Sequence, residues 1–309
     1  MAEVELGRRL YFDPILSGDG TVSCSSCHSL DHGGAEDRRT STGIGGHIGP
    51  INAPSVLNAG FNFRQFWDGR AEDLQDQAGG PVENPGEMGA TFGQVIPRIQ
   101  ADEWYAARFA QVFPGGDPVT KEHITHAIAE YERSLVTPSP VDRYLGGDAS
   151  ALNEQQRRGY ALFKSTGCAG CHSGVNVGGG SYQKMGLVED YFALRGGEQT
   201  DADLGRFNVT HDEADRHKFK VPTLRNVAES GPYFHDGSQA QLADAVRIMA
   251  RVQLGKTLSD TEVTDLVAFL GALTGELPAH ARLPADQAPP SRATPSGAAE
   301  QGATGTTAE

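Results

Sequence analysis

Two short runs carry the chemistry this chain offers: CSSCH at 24–28 and CAGCH at 168–172. Together they use all four cysteines, so none is left for a structural disulfide. In a C-x-x-C-H run two thioethers can hold a porphyrin while the adjacent histidine reaches its iron. Zinc would ask for two further soft ligands at each site, and no further cysteine is available. A dithiol redox pair would have no use for the histidine, least of all twice. The runs therefore imply two covalently bound haem c groups. One is attached at Cys24 and Cys27 with His28 as axial ligand, the other at Cys168 and Cys171 with His172.

One histidine per iron leaves the sixth position to decide the chemistry. A methionine there raises the potential and suits electron transfer, whereas an open position lets a small molecule bind and react. For the second haem the candidates are Met185, in the loop SYQKMG, and Met249, which shares a helical face with Leu242 and Val246. Spacing alone leaves both open, and leaves Met249 open as a core residue too. Beyond the first haem motif lies STGIGGHIGP (41–50), a glycine loop that can bring His47 to a metal or leave it in solvent.

The elements that must position these residues come in two matching sets. Gly7 precedes Tyr11 by four residues and Gly159 precedes Phe163 by four, each ahead of a haem motif. Each half closes on an amphipathic segment, 123–136 and 260–273. Ser259 with Glu262, and Asn153 with Gln156, predict capped helix starts. Strand patterns are sparse, and 39 glycines and 17 prolines mark long loops. The expected fold is all-α: two tandem cytochrome c-like haem domains, 1–148 and 149–276, divided near the turn-rich 137–150. From Leu277 to Glu309 the chain is Pro/Ala-rich and too polar to bury a core, so a disordered tail is expected.

The totals set outer limits. Only 38% of the 309 residues are hydrophobic and mean hydropathy is −0.41, lean for a core unless two porphyrins help fill it. Twenty-six basic against 40 acidic residues give a formal charge of −14, which argues against nucleic acid and anionic membranes as partners. No stretch approaches a membrane span. The opening MAEVELGRRL has neither the basic nor the apolar region of a secretory leader. The protein is then expected either to be cytoplasmic or to have lost a leader, and cytochrome c assembly points to the periplasm.

Longer stretches carry a family resemblance: NAPSVLNAGFNFRQFWDGRAEDLQDQAGGP (52–81), NPGEMG (84–89), SYQKMG (181–186), EADRHKFKVPTLRN (213–226) and GPYFHDG (231–237). From about Val4 to about Pro278 the chain resembles the bacterial dihaem cytochrome c peroxidases. The resemblance implies that hydrogen peroxide is reduced to water at a low-potential N-terminal haem. Electrons would arrive from a small cytochrome c or a cupredoxin through a high-potential C-terminal haem ligated by Met249 rather than Met185. It implies that Trp67 lies between the haems and that Gln77 and Glu87 line the peroxide pocket. A calcium ion would be held between the domains by Asn52 and by carbonyls near Ser230 and Pro232, in a periplasmic homodimer. The chemistry suits these roles: a carboxylate such as Glu87 can take a proton from one peroxide oxygen and return it to the other, while Gln77 can orient and donate a hydrogen bond.

The chain departs from the family pattern at one position. Many such enzymes place a second histidine on the resting peroxidatic iron, but here the matching position is Ile44, which cannot bind iron. Either His47, three residues on, substitutes for it or the site is open. Two other functions compete with peroxide reduction. One is a dihaem oxidase that modifies a protein or organic substrate, against which Met249 argues because such relatives carry tyrosine there. The other is a non-catalytic dihaem electron carrier. Of the remaining histidines, His123 and His126 fit an amphipathic helix. His32, His211, His217 and His280 sit in loops without an evident partner, and His235 in YFHDG has no derivable role.

Overall fold

The computed structural model describes residues 1–284 and 287–289. In the first half the helices are α1 (Ala2–Phe12), α2 (Cys24–Cys27), α3 (Leu74–Glu83), α4 (Phe92–Ala101), α5 (Glu103–Val112) and α6 (Lys121–Arg133). The second half has α7 (Pro140–Leu145), α8 (Glu154–Thr166), α9 (Tyr191–Arg195), α10 (Phe207–Thr210), α11 (Leu242–Leu254) and α12 (Asp260–Gly271). Among the described residues the one sheet is an antiparallel pair, β1 (Tyr182–Lys184) and β2 (Lys218–Lys220), with Gln183 opposite Phe219. The expected all-α, two-domain architecture is what the chain adopts. No described helix is long and apolar enough to cross a membrane.

The two domains repeat one packing scheme. Helix α1 lies on α6, and α8 on α12. Gly7 and Gly159 make this possible, because a Cβ at either would run into the backbone carbonyl of Ala127 or of Asp265. Next to each glycine contact an aromatic pair locks the crossing: Tyr11 with Tyr131 at 5.1 Å between ring centres, Phe163 with Phe269 at 5.2 Å. The matched contacts put Tyr131 and Phe269 in the same structural position, 138 residues apart. Both sequence-predicted caps form: Asn153 and Gln156 bond reciprocally, as do Ser259 and Glu262.

The domains meet at Thr137. Its Oγ1 accepts from the Nδ2 of Asn58 at 2.7 Å and of Asn226 at 2.8 Å, and both asparagines are left-handed (φ 59°). In return Asn58 Oδ1 accepts from the Thr137 N–H, and Asn226 Oδ1 from the Gly275 N–H, each at 3.0 Å. The packing changes over here, at the start of the turn-rich 137–150. Ser139 and Asp142 cap α7, and its Val141 is buried in the second domain's core. Arg225 then clamps Asp142 through both guanidinium arms at 2.8 and 2.6 Å.

The tail expectation needs correction at its start. Leu277 packs on the first domain's core, and Ala281 is fully buried with its carbonyl accepting from Tyr131 Oη at 2.6 Å. Arg8 Nη1 also donates to the His280 carbonyl at 3.0 Å. An aromatic hydroxyl and an arginine hold backbone that composition alone marks as loop. Residues 285, 286 and 290–309 lie outside the described residues.

Candidate active site

Each C-x-x-C-H run follows the helix that its glycine docks. Cys24 and Cys27 bound the single turn α2, and the Tyr11 hydroxyl of α1 donates to the His28 carbonyl. His28 Nδ1 faces the Pro54 carbonyl at 3.0 Å, which makes it the N–H nitrogen and leaves the Nε2 lone pair free. Burial pushes its pKa down, so the ring is neutral, as a ligand must be. His172 repeats this with its pKa down to about 4, again through burial. The Val177 and Pro222 backbone lies near the ring without a well-formed hydrogen bond, so His172 Nδ1 is a buried polar atom lacking a partner. Pro222 sits in VPTLRN as Pro54 sits in APSVLN, each four residues before the asparagine bonded to Thr137.

The four thiols are all free, and burial raises the pKa of Cys24 strongly and that of Cys27 to about 11. Cys24 and Cys27 are thus held as thiols, which are poor nucleophiles. Cys168, Cys171 and His172 open onto a mostly apolar cavity whose walls include Trp67, Phe219, Leu266, Leu270, Met185 and Met249. Paired thiols, a neutral histidine and facing thioethers form a donor set that fits a covalently held haem. Both methionines line the cavity, so the local geometry alone does not choose between them.

Gln77 and Glu87 lie on one connected unit. Gln77 is on α3, whose C-cap Asn84 turns the chain into the loop carrying Glu87. Asn84 Nδ2 donates to Glu87 Oε1 at 2.6 Å, and the Glu87 carbonyl accepts from the Ile44 N–H at 2.8 Å. Burial raises the Glu87 pKa, opposed by Arg70 and by the Asn84 bond, so this carboxyl holds its proton more readily than a surface glutamate. Ile44 packs on Gly89 of the same loop. His47 is exposed, and its ring edge lies against Gly86 of that loop. The glycine loop closes on itself through Gly43 N–H to His47 O and Gly49 N–H to Ser41 O, both 2.8 Å.

Trp67 stands between the two halves. Its ring lines the His172 cavity, and its Nε1–H donates to the Asn52 carbonyl at 2.9 Å, two residues before Pro54. The Asn52 side-chain amide donates to the Arg38 and Arg39 carbonyls at 3.2 and 3.3 Å, which leaves its Oδ1 available. The Ser230–Pro232 segment faces the first domain, where His32 Nε2 meets the Gly231 carbonyl at 2.7 Å. His32, His217 and His280 thus have backbone or hydroxyl partners that their loop contexts did not show. His123 stacks on Phe113 with ring centres 4.0 Å apart.

Sequence reasoning missed a buried cluster beside this link. His235 stacks on Phe219 at 4.4 Å and meets Trp67 edge-on at 6.3 Å. Its Nε2 lies 2.7 Å from Asp203 Oδ1. Arg195 joins Asp203 at 2.7 Å and Asp236 at 2.9 Å, so a guanidinium already supplies the cation among these acids. The available signal was internal: YFHDG repeats the shape of QFWDG, with positive φ at Phe66 and Gly69 and again at Phe234 and Gly237. His235 is Trp67's counterpart.

Comparison with known proteins gives the family. Residues 1–150 match the family model described as di-haem cytochrome c peroxidase, and 156–274 match that of cytochrome c. The cytochrome c peroxidase Ccp of Escherichia coli K12 is 50% identical over 275 residues, covering 88% of this chain and 58% of that protein, so this chain spans less than two thirds of its length. The cytochrome c551 peroxidase of Nitrosomonas europaea is also 50% identical over 275 residues, with 89% of this chain and 80% of that protein covered. Among solved structures, a MauG-like protein associated with microbial copper homeostasis superposes with a TM-score of 0.79 at 31% identity, covering 89% of this chain and 90% of that one. On these grounds the chain belongs to the dihaem cytochrome c peroxidases, oxidoreductases that act on peroxide.

Proposed function

We propose that this chain reduces hydrogen peroxide to water in the pocket beside Glu87, with electrons from a small cytochrome c or cupredoxin entering through the His172 site. The observation that carries this is Glu87 itself. It is a partly buried carboxyl whose pKa burial raises, held by Asn84 and by the glycine loop. The haems, when bound, supply the iron that takes peroxide and the reservoir for the second of the two electrons. Glu87 accepts the proton of the near peroxide oxygen and returns it to the far one, which then leaves as water. Gln77 orients the substrate by donating a hydrogen bond, and Trp67 carries electrons between the halves. Met249, with His172, would hold the iron of the second haem, which suits that haem to electron transfer.

Ile44, at the position where the resemblance implies a histidine, packs on Gly89 of the Glu87 loop, and His47 is exposed with its ring edge on Gly86. Both support an N-terminal site that is open at rest and needs no prior reduction. A calcium ion at Asn52 Oδ1 and the Ser230 and Pro232 carbonyls, a homodimer and a periplasmic location belong to the same proposal. The free Asn52 oxygen supports the calcium part. The test is steady-state peroxide turnover by the dihaem protein with a reduced small cytochrome, for the parent and Glu87→Gln. Unchanged turnover in the variant, with both haems bound, removes the role assigned to Glu87.

A further inference from the structure

Glu132 is an acid placed among the apolar positions of α6, one turn beyond Ile128 and three residues before Leu135. It is 5% exposed, and burial is the cause that shifts its carboxyl group. The internal repeat says what it faces. Tyr131 matches Phe269, so Glu132 matches Leu270, and Leu270 lines the cavity of Cys168, Cys171 and His172. Ile128 likewise matches Leu266, another wall of that cavity. Glu132 therefore occupies the wall of the first haem pocket where the second pocket has leucine. Its charge acts on the Cys24 thiol, the attachment point of the first haem, which agrees with that position.

We propose that Glu132 couples reduction of the N-terminal haem to uptake of one proton and lowers that haem's potential relative to the C-terminal one. One electron from the donor converts ferric to ferrous iron, and one proton from solvent converts the Glu132 carboxylate to the acid. Oxidation reverses both. A bare carboxylate in a low-dielectric pocket is costly, and the positive charge of a ferric haem offsets much of that cost; reduction removes it. Burial alone already lifts the Glu132 pKa to about 8, so the haem's charge moves it across the physiological range. The titratable groups facing it are Tyr11 from α1, Cys24 from α2 and Tyr131 of its own helix. Arg8 and Arg282 act on Tyr131 and not on Glu132. Leu270 cannot take a proton, so the second haem has no equivalent coupling.

The inference rests on haem attachment at Cys24 and Cys27 and not on which haem meets peroxide. The test is a potentiometric titration of both haems in the dihaem holoprotein from about pH 6 to about pH 10. It compares the parent with Glu132→Gln and with Glu132→Leu, the second domain's own solution. In the parent the ferric/ferrous equilibrium of the first haem should shift toward ferric by up to about tenfold per pH unit, about 59 mV for one electron. Both variants should flatten that slope and raise the potential, leaving the second haem unmoved. The same slope in parent and variants overturns the proposal, as does a change confined to the second haem. A redox-difference infrared spectrum of the parent gives a readout that does not depend on the variants folding. A protonated-carboxyl band should appear on reduction, and its absence equally overturns the proposal. Peroxide turnover enters neither measurement, so failure of the peroxidase reading and failure of this one are distinguishable.

Discussion

Trp67 hands its indole N–H to the carbonyl of Asn52, 2.9 Å away, while its ring forms part of the His172 cavity wall. Two residues beyond Asn52, the Pro54 carbonyl holds His28 Nδ1 at 3.0 Å. One side chain therefore lines the His172 cavity and bonds the loop whose Pro54 carbonyl holds His28. Trp67→Phe keeps the ring but removes the N–H. Stopped-flow reduction of the first haem through the second should slow by about tenfold, a barrier increase of about 1.4 kcal/mol. An unchanged rate would mean that electrons take another route.

Glu87→Gln keeps the size of the side chain and its bond with Asn84 while removing the base. The expected loss in turnover is about 10²- to 10⁴-fold, with haem content unchanged. Because burial raises the Glu87 pKa, the carboxylate needed to accept the first proton is lost at a higher pH than in a surface glutamate. Parent kcat/KM should therefore fall as pH drops through that raised value, and the acidic limb should vanish in the variant.

His47 is exposed and Ile44 packs beside the Glu87 loop. Electron paramagnetic resonance of the fully oxidised protein should show a high-spin first haem, and His47→Ala should leave the spectrum as it is. A low-spin bis-histidine signal that His47→Ala abolishes would show that the loop swings inward in the holoprotein.

Asp203 is buried with a 2% exposed side chain between Arg195 and His235. Burial alone would raise its pKa, but hydrogen bonds from Arg195, Thr200 and His235 outweigh it and hold the carboxyl below the usual range. A depressed folded-state pKa contributes stability that is complete above the unfolded value, about 3.9, and is lost as pH falls through the folded one. Asp203→Asn should cost about 3 kcal/mol in denaturant unfolding at neutral pH by leaving Arg195 half-paired, with the gap narrowing in acid. Equal stability at neutral pH would mean that Asp236 holds Arg195 by itself.

Gly159→Ala puts a methyl into the Asp265 carbonyl, so α8 and α12 must separate. A loss of about 1 to 3 kcal/mol is expected, together with reduced haem loading of the second domain. Absorbance per protein at constant expression measures that loading.

The sequence by itself determined the local chemistry. Two C-x-x-C-H runs set where haem would attach, because thiol spacing is a property of a few adjacent residues. Gly7 with Tyr11 and Gly159 with Phe163 marked the matching halves, and the Asn153 and Ser259 caps formed as read, since capping is settled within one turn. Tertiary structure alone decided which side chains meet across long separations. Thr137 accepts from asparagines 79 and 89 residues away, His235 finds Asp203, and Leu277–Ala281 returns to the first domain. The glycine loop allowed His47 either direction, and the fold leaves it exposed with its ring edge on Gly86. Glu132 was hidden for the same reason. An acid in an amphipathic helix reads as a solvated face until the packing of α1 and α6 shows that its side has no water to face.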